Sequence, residues 1–99
     1  MSKVVAIIDS MTAAQDKKFI DFLSEKGWGY WHWIDGAWLI NSHIAGSEMT
    51  TLIRDTIGEI TSGKHSLVFE VNLTGSWAGH GPDQEGNSMF KWIREEWKP

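Results

Sequence analysis

Asp35-Gly36 sits between two runs of aromatic and branched residues, Tyr30-Trp31-His32-Trp33-Ile34 before it and Ala37-Trp38-Leu39-Ile40-Asn41 after it. A dipeptide of this kind between strand-forming runs is the strongest short-range signal for a β-hairpin, because glycine supplies the positive φ of a tight turn. A two-residue turn pairs Ile34 with Ala37, Trp33 with Trp38, His32 with Leu39 and Trp31 with Ile40. On that register one face carries Trp31, Trp33, Trp38 and Ile40, and the other carries Tyr30, His32, Ile34, Ala37 and Leu39. A hairpin with one wet face alternates apolar and polar residues, and this one is largely apolar on both. Helices can cover one face. For the other, the expectation is a second copy of the chain, with Tyr30, Trp31, His32, Trp33, Trp38 and Leu39 at a dimer interface.

The elements around the hairpin follow from their own patterns. Val4 to Ile8 is a continuous apolar run, which reads as a central strand buried on both faces and ending at Asp9. Thr12 and Gln15 form a capping-box signature for a first helix. Phe19, Ile20, Phe22 and Leu23 are its apolar side, and Lys26-Gly27 is its stop. Ser47 is the expected N-cap of a second helix carrying Met49, Leu52, Ile53, Ile57 and Ile60 at helical spacing, with Gly63 ending it. Leu67, Phe69, Val71 and Leu73 alternate with Val68, Glu70, Asn72 and Thr74 as a fourth strand with one more polar face. After a glycine-rich loop, Gly75 to Asn87, a final helix capped by Asn87 or Ser88 places Met89, Ile93 and Trp97 on one side.

The order β-α-β-β-α-β is the split βαβ pattern. The expected fold is α+β: one ferredoxin-like domain over residues 1–99 with an additional C-terminal helix. A chain of 99 residues has room for one domain and a small core, and seven tryptophans are a means of filling it.

Composition narrows the function classes. The absence of cysteine excludes disulfides, thiolate metal sites and a cysteine nucleophile. The net charge is -4, with two arginines, Arg54 and Arg94, and scattered lysines, so the basic stripe of a duplex-binding protein is missing and duplex nucleic acid is not an expected partner. The apolar run after Lys3 is too short for a signal peptide or a membrane span, which points to a cytoplasmic protein that does not engage a membrane.

Two places draw attention as sites. In the loop, Gly75, Ser76, Trp77, Gly79, His80 and Gly81 form a candidate binding site. Glycines let a backbone approach a ligand, Trp77 can stack on a planar ring and His80 can donate to an anion. A small nucleotide-like ligand fits that chemistry; the competing reading is a connector whose Trp77 packs back on the domain. The hairpin tryptophans could stack on bases, but their face lacks lysine and arginine, so packing is the favoured use. His32, His43, His65 and His80 show no metal-site spacing.

Trp31-His32-Trp33-Ile34-Asp35, then Trp38-Leu39-Ile40, a first strand ending in Asp9, and Leu73-Thr74-Gly75-Ser76-Trp77-Ala78-Gly79 together resemble the small proteins called SinR-like. That group in turn resembles CRISPR-associated protein 2 and the VapD toxins. The resemblance implies a ferredoxin-like homodimer. It also implies an alternative function, a metal-dependent endonuclease, in which Asp9 holds Mg²⁺ together with its copy across a dimer axis. The bland reading is that Asp9 ends its strand and helps cap the next turn. The first expectation is a non-catalytic, homodimeric binding protein without a cofactor; a regulator in a defence or counter-defence system is a further alternative.

Overall fold

A computed structural model describes residues 2–71 and 91–97. The apolar run at the start of the chain becomes β1 (Ser2–Ile8), the strand that ties the sheet together. It is followed by α1 (Ala13–Lys26), β2 (Gly29–Ile34), β3 (Ala37–Ser42), α2 (Gly46–Thr61) and β4 (Ser66–Glu70). The four strands form one antiparallel sheet in the order β2-β3-β1-β4, so β1 is central, as its composition requires. The fold is small α+β, with both helices on one face of the sheet.

Local chemistry sets the ends of α1. The Thr12 hydroxyl accepts the Gln15 N–H at 3.2 Å and the Gln15 side chain accepts the Thr12 N–H at 2.9 Å, the reciprocal pair of a capping box. Gly27 closes the helix in the left-handed region, φ 73°. The second helix departs from expectation. Its N-cap is Ala45, with no side-chain cap bond, and Ser47 lies inside the first turn. The preceding turn is held instead by serine hydroxyls: Ser42 accepts the Ile44 N–H at 3.2 Å and Ser2 donates to the Ile44 carbonyl at 2.6 Å, which delivers the chain into the helix two residues early. At the other end the left-handed residue is Ser62, φ 59°, followed by Gly63, φ 95°.

The helix-side core joins Val4, Ala6 and Ile8 of β1 and Trp38 and Ile40 of β3 to Phe19, Leu23, Met49, Ile53 and Ile57. Trp38 is its largest fully buried side chain, with Phe19 edge-on at 4.8 Å. The hairpin turn falls at Asp35-Gly36, but the register differs from the expected one. Ile34 pairs with Ala37, while Trp31 pairs with Leu39 and Tyr30 with Ile40. His32 and Trp33 therefore both lie opposite Trp38, a β-bulge in β2. One extra residue moves every side chain beyond it to the other face. The expected grouping of Trp31 and Trp33 with Trp38 and Ile40 is thus corrected: Tyr30, Trp38 and Ile40 face the helices with His32, and Trp31, Trp33 and Leu39 face away.

The cover of the face away from the helices also differs from the expected second copy. Over β2 and β3 the chain covers it itself. Ile93 and Trp97, in a π-helical turn Ile93–Trp97, form a second cluster with Trp31, against which Val5, Trp33, Leu39, Val71 and Trp92 pack. Trp97 donates its indole N–H to the Ile40 carbonyl at 3.4 Å, and Asn41 donates to the Glu96 carbonyl at 3.2 Å. The expected placing of Ile93 and Trp97 on one side holds; Met89, Asn87 and Ser88 lie outside the described residues.

Candidate interaction surface

Beyond Val5, at Ile7, Leu67 and Phe69, the same face stands open among the described residues. Alternation along β1 sends Val4, Ala6 and Ile8 to the helices and Lys3, Val5 and Ile7 to the opposite side. The expectation of burial on both faces therefore fails for Ile7, which is 48% exposed. In β4 the polar and apolar roles are reversed: Val68 packs on the helix-side core, while Leu67 and Phe69 turn outward, 59% and 39% exposed. Glu70 shares the side of Val68. Its carboxyl lies against Gly46, where a Cβ would overlap it, so the even-numbered side of β4 meets the start of α2.

The two strands present their outward side chains in register. Ile7 is the cross-strand partner of Leu67, and Val5 of Phe69. Ile7, Leu67 and Phe69 form an open apolar block two strands wide, bordered by Val5, which packs against the C-terminal cluster. Beyond Ile7 and Leu67 the row continues to Asp9 and His65, whose backbones are joined by the Asp9 N–H donating to the His65 carbonyl at 3.1 Å. Their side chains meet at 3.6 Å between carboxylate and imidazole Nδ1. Ile7, Ile8, Asp9, His65, Ser66 and Leu67 line a cleft of about 250 Å³. Around it, Ser10 donates its hydroxyl to Asp35 at 3.0 Å, Lys64 donates to the Ser10 carbonyl, and the Ile8 N–H donates to the Gly36 carbonyl at 2.8 Å. A side chain at Gly36 would come within 2.7 Å of the Ile8 carbonyl, so glycine is required there for space as well as for its φ of 79°.

Asp9 thus gathers one imidazole beside its carboxylate, and among the described residues no group of three His, Asp or Glu side chains is placed to hold a metal ion. No local pattern announces this pairing, because Asp9 and His65 are brought together by the β1–β4 register.

The other expected site residues divide between two places. Tyr30, His32 and Trp38 lie in or on the helix-side core, and Trp31, Trp33 and Leu39 lie under or beside the C-terminal turn. Trp38 is 0% exposed, so this side chain is enclosed by its own chain rather than presented to a partner. His32 is held by three contacts. It stacks on Trp38, its Nδ1 is 2.9 Å from the Ala37 carbonyl, and its Nε2 is 3.8 Å from the Asp16 carboxylate. Gly75, Ser76, Trp77, Gly79, His80 and Gly81 lie outside the described residues. Among the described residues no helix is long and apolar enough to cross a membrane.

No protein-family model, curated protein or solved structure matches this chain.

Proposed function

We propose that this protein is a homodimeric interaction module of ferredoxin-like type, whose two copies stack sheet on sheet through the outward face of β1 and β4. The carrying observation is the block of Ile7, Leu67 and Phe69, with all three large side chains substantially open to solvent. Large exposed apolar side chains gathered on one flat surface mark an interaction site. Face-to-face sheets settle on the order of 10 Å apart, with side chains from both interdigitating, and a block of this shape suits that geometry.

The ferredoxin-like reading is supported by the element order, by the strand order β2-β3-β1-β4 and by both helices packing on one side. The resemblance to SinR-like proteins agrees with a homodimer. The interface differs from the one expected at the hairpin, because the C-terminal turn already occupies the β2–β3 half of that face.

Charge placed on the block tests the reading. Leu67→Lys and Phe69→Lys shift the protein to monomer in size-exclusion chromatography with light scattering. Ile34→Lys, at a residue just as exposed as Leu67 but beside the hairpin turn, leaves the dimer intact. Unchanged mass in both block variants contradicts the proposal.

A further inference from the structure

β4 is an outer strand of the sheet, and its free edge has no strand beside it among the described residues. Register decides what that edge offers. The Asp9 N–H donates to the His65 carbonyl and the Val71 N–H to the Lys3 carbonyl, so the odd-numbered residues turn their backbone groups to β1. In an antiparallel pair this direction alternates residue by residue, which leaves the N–H and carbonyl groups of Ser66, Val68 and Glu70 pointing away from the sheet. Sheet edges are commonly blunted by a proline, a lysine or a bulge. Ser66-Leu67-Val68-Phe69-Glu70 has none of these, and its pairing with β1 is unbroken.

Helix α2 makes the edge one wall of a groove. Thr50, Thr51 and Arg54 of the helix and Ser66, Leu67 and Val68 of the strand line a cleft of about 200 Å³. Arg54 is the one charged side chain among these six. Its Nε and Nη2 both donate to a single oxygen of Asp55, at 3.0 and 2.9 Å, and both side chains of that pair are more than half exposed. So exposed a pair is weak, and the Nη1 donors of Arg54 are left for a second carboxylate. The opposite charge lies at the far end of the strand, where the Glu70 carboxyl rests against Gly46.

The pleat dictates how a strand laid on this edge presents its side chains. The residue opposite Val68 points as Val68 does, to the helix side and the cleft beside Arg54. Its two neighbours point the other way, beside Leu67 and Phe69, whose outward side chains are open to solvent. An acidic side chain suits the first position, and large apolar side chains suit the other two. An acid opposite Glu70 meets a like charge, which places the acid at Val68 instead.

We propose that the β4 edge is a docking site for an extended peptide segment of a partner protein, bound by strand addition, with an acidic residue opposite Val68 between two apolar ones. Main-chain hydrogen bonds to Ser66, Val68 and Glu70 hold the segment, and Arg54 selects its acid. The site lies on the edge of the sheet rather than its face, so it does not rest on the homodimer.

Titration of ¹⁵N-labelled protein with the blocked peptide Thr-Ile-Glu-Ile-Thr tests the site by amide shifts and hydrogen exchange. In the free protein the amides of Ser66, Val68 and Glu70 exchange rapidly; with peptide they shift and become protected. The same peptide with lysine in place of glutamate binds about tenfold more weakly, and Arg54→Glu inverts that preference. A peptide with every backbone nitrogen methylated does not bind. Amides of these three residues that are already protected without peptide mean that the edge is taken by the chain itself or by a second copy, and overturn the proposal. Equal binding of the two peptides, an unchanged preference in Arg54→Glu, or no shift at these amides overturns it too. The mass of the wild-type protein in solution bears on the homodimer alone.

Discussion

The His32 imidazole lies flat on the Trp38 indole, with ring centroids 3.6 Å apart and planes within 4° of parallel. This stack sits at the β2 bulge, where two residues oppose Trp38, and it explains how the irregularity is held. Because Nδ1 is 2.9 Å from a carbonyl oxygen, it must carry a proton and donate. Nitrogen–proton correlation spectra of the imidazole should therefore show His32 in the Nδ1–H form whenever it is neutral. His32→Ala removes the stack and the hydrogen bond together, and lowers unfolding free energy by about 1–3 kcal/mol in urea denaturation.

Trp38 itself is the most costly single truncation in the helix-side core. It is fully buried against Phe19, Tyr30 and His32. Trp38→Ala is expected to cost about 3–5 kcal/mol. Its indole N–H has no hydrogen-bond partner among the described residues, so Trp38→Phe forfeits volume but no hydrogen bond, and should cost distinctly less. Equilibrium denaturation of the two variants gives the comparison.

The two helix C-termini predict changes of opposite sign. Gly27 and Ser62 both occupy the left-handed region, φ 73° and 59°. Gly27→Ala places a Cβ where only backbone strain opposes it, since nothing lies within 4 Å, and should destabilise by about 1 kcal/mol. Ser62→Gly relieves the same strain and should stabilise by about 0.5–1 kcal/mol. Thermal unfolding of both proteins separates these shifts.

The features that could be read from residue order alone are the ones decided within a few residues. The Thr12–Gln15 capping box, the Gly27 stop and the Asp35-Gly36 turn stand where local chemistry puts them. What could not be read depends on contacts distant in sequence. The alternation of Leu67 and Phe69 with Val68 and Glu70 shows two faces but not which one the helices take; in the fold Val68 packs on the helix-side core and Glu70 meets Gly46 at the start of α2. The bulge at His32–Trp33 adds a residue that no pattern in the hairpin announces, and it moved Trp31 away from Trp38. Similarly, the cover supplied by Trp92, Ile93 and Trp97 comes from the far end of the chain.

That cover yields its own prediction. Trp97 caps Trp31 and bonds the Ile40 carbonyl, so Trp97→Ala should cost about 3–5 kcal/mol. It should also raise the accessibility of the remaining tryptophans to acrylamide quenching, because Trp31 loses its neighbour. Unchanged quenching would count against the second cluster.

The block of Ile7, Leu67 and Phe69 makes the oligomeric state the central quantity. Each large side chain buried in a contact contributes about 1.5–3 kcal/mol, and in a symmetric dimer each is buried twice. Leu67→Lys should therefore weaken association by at least about 100-fold. The most direct measurement is the mass of the wild-type protein by light scattering at micromolar concentration. The expected result is twice the chain mass of 11.2 kDa, falling to that of one chain in Leu67→Lys. A wild-type protein that runs cleanly as a single 11.2 kDa chain under those conditions contradicts it.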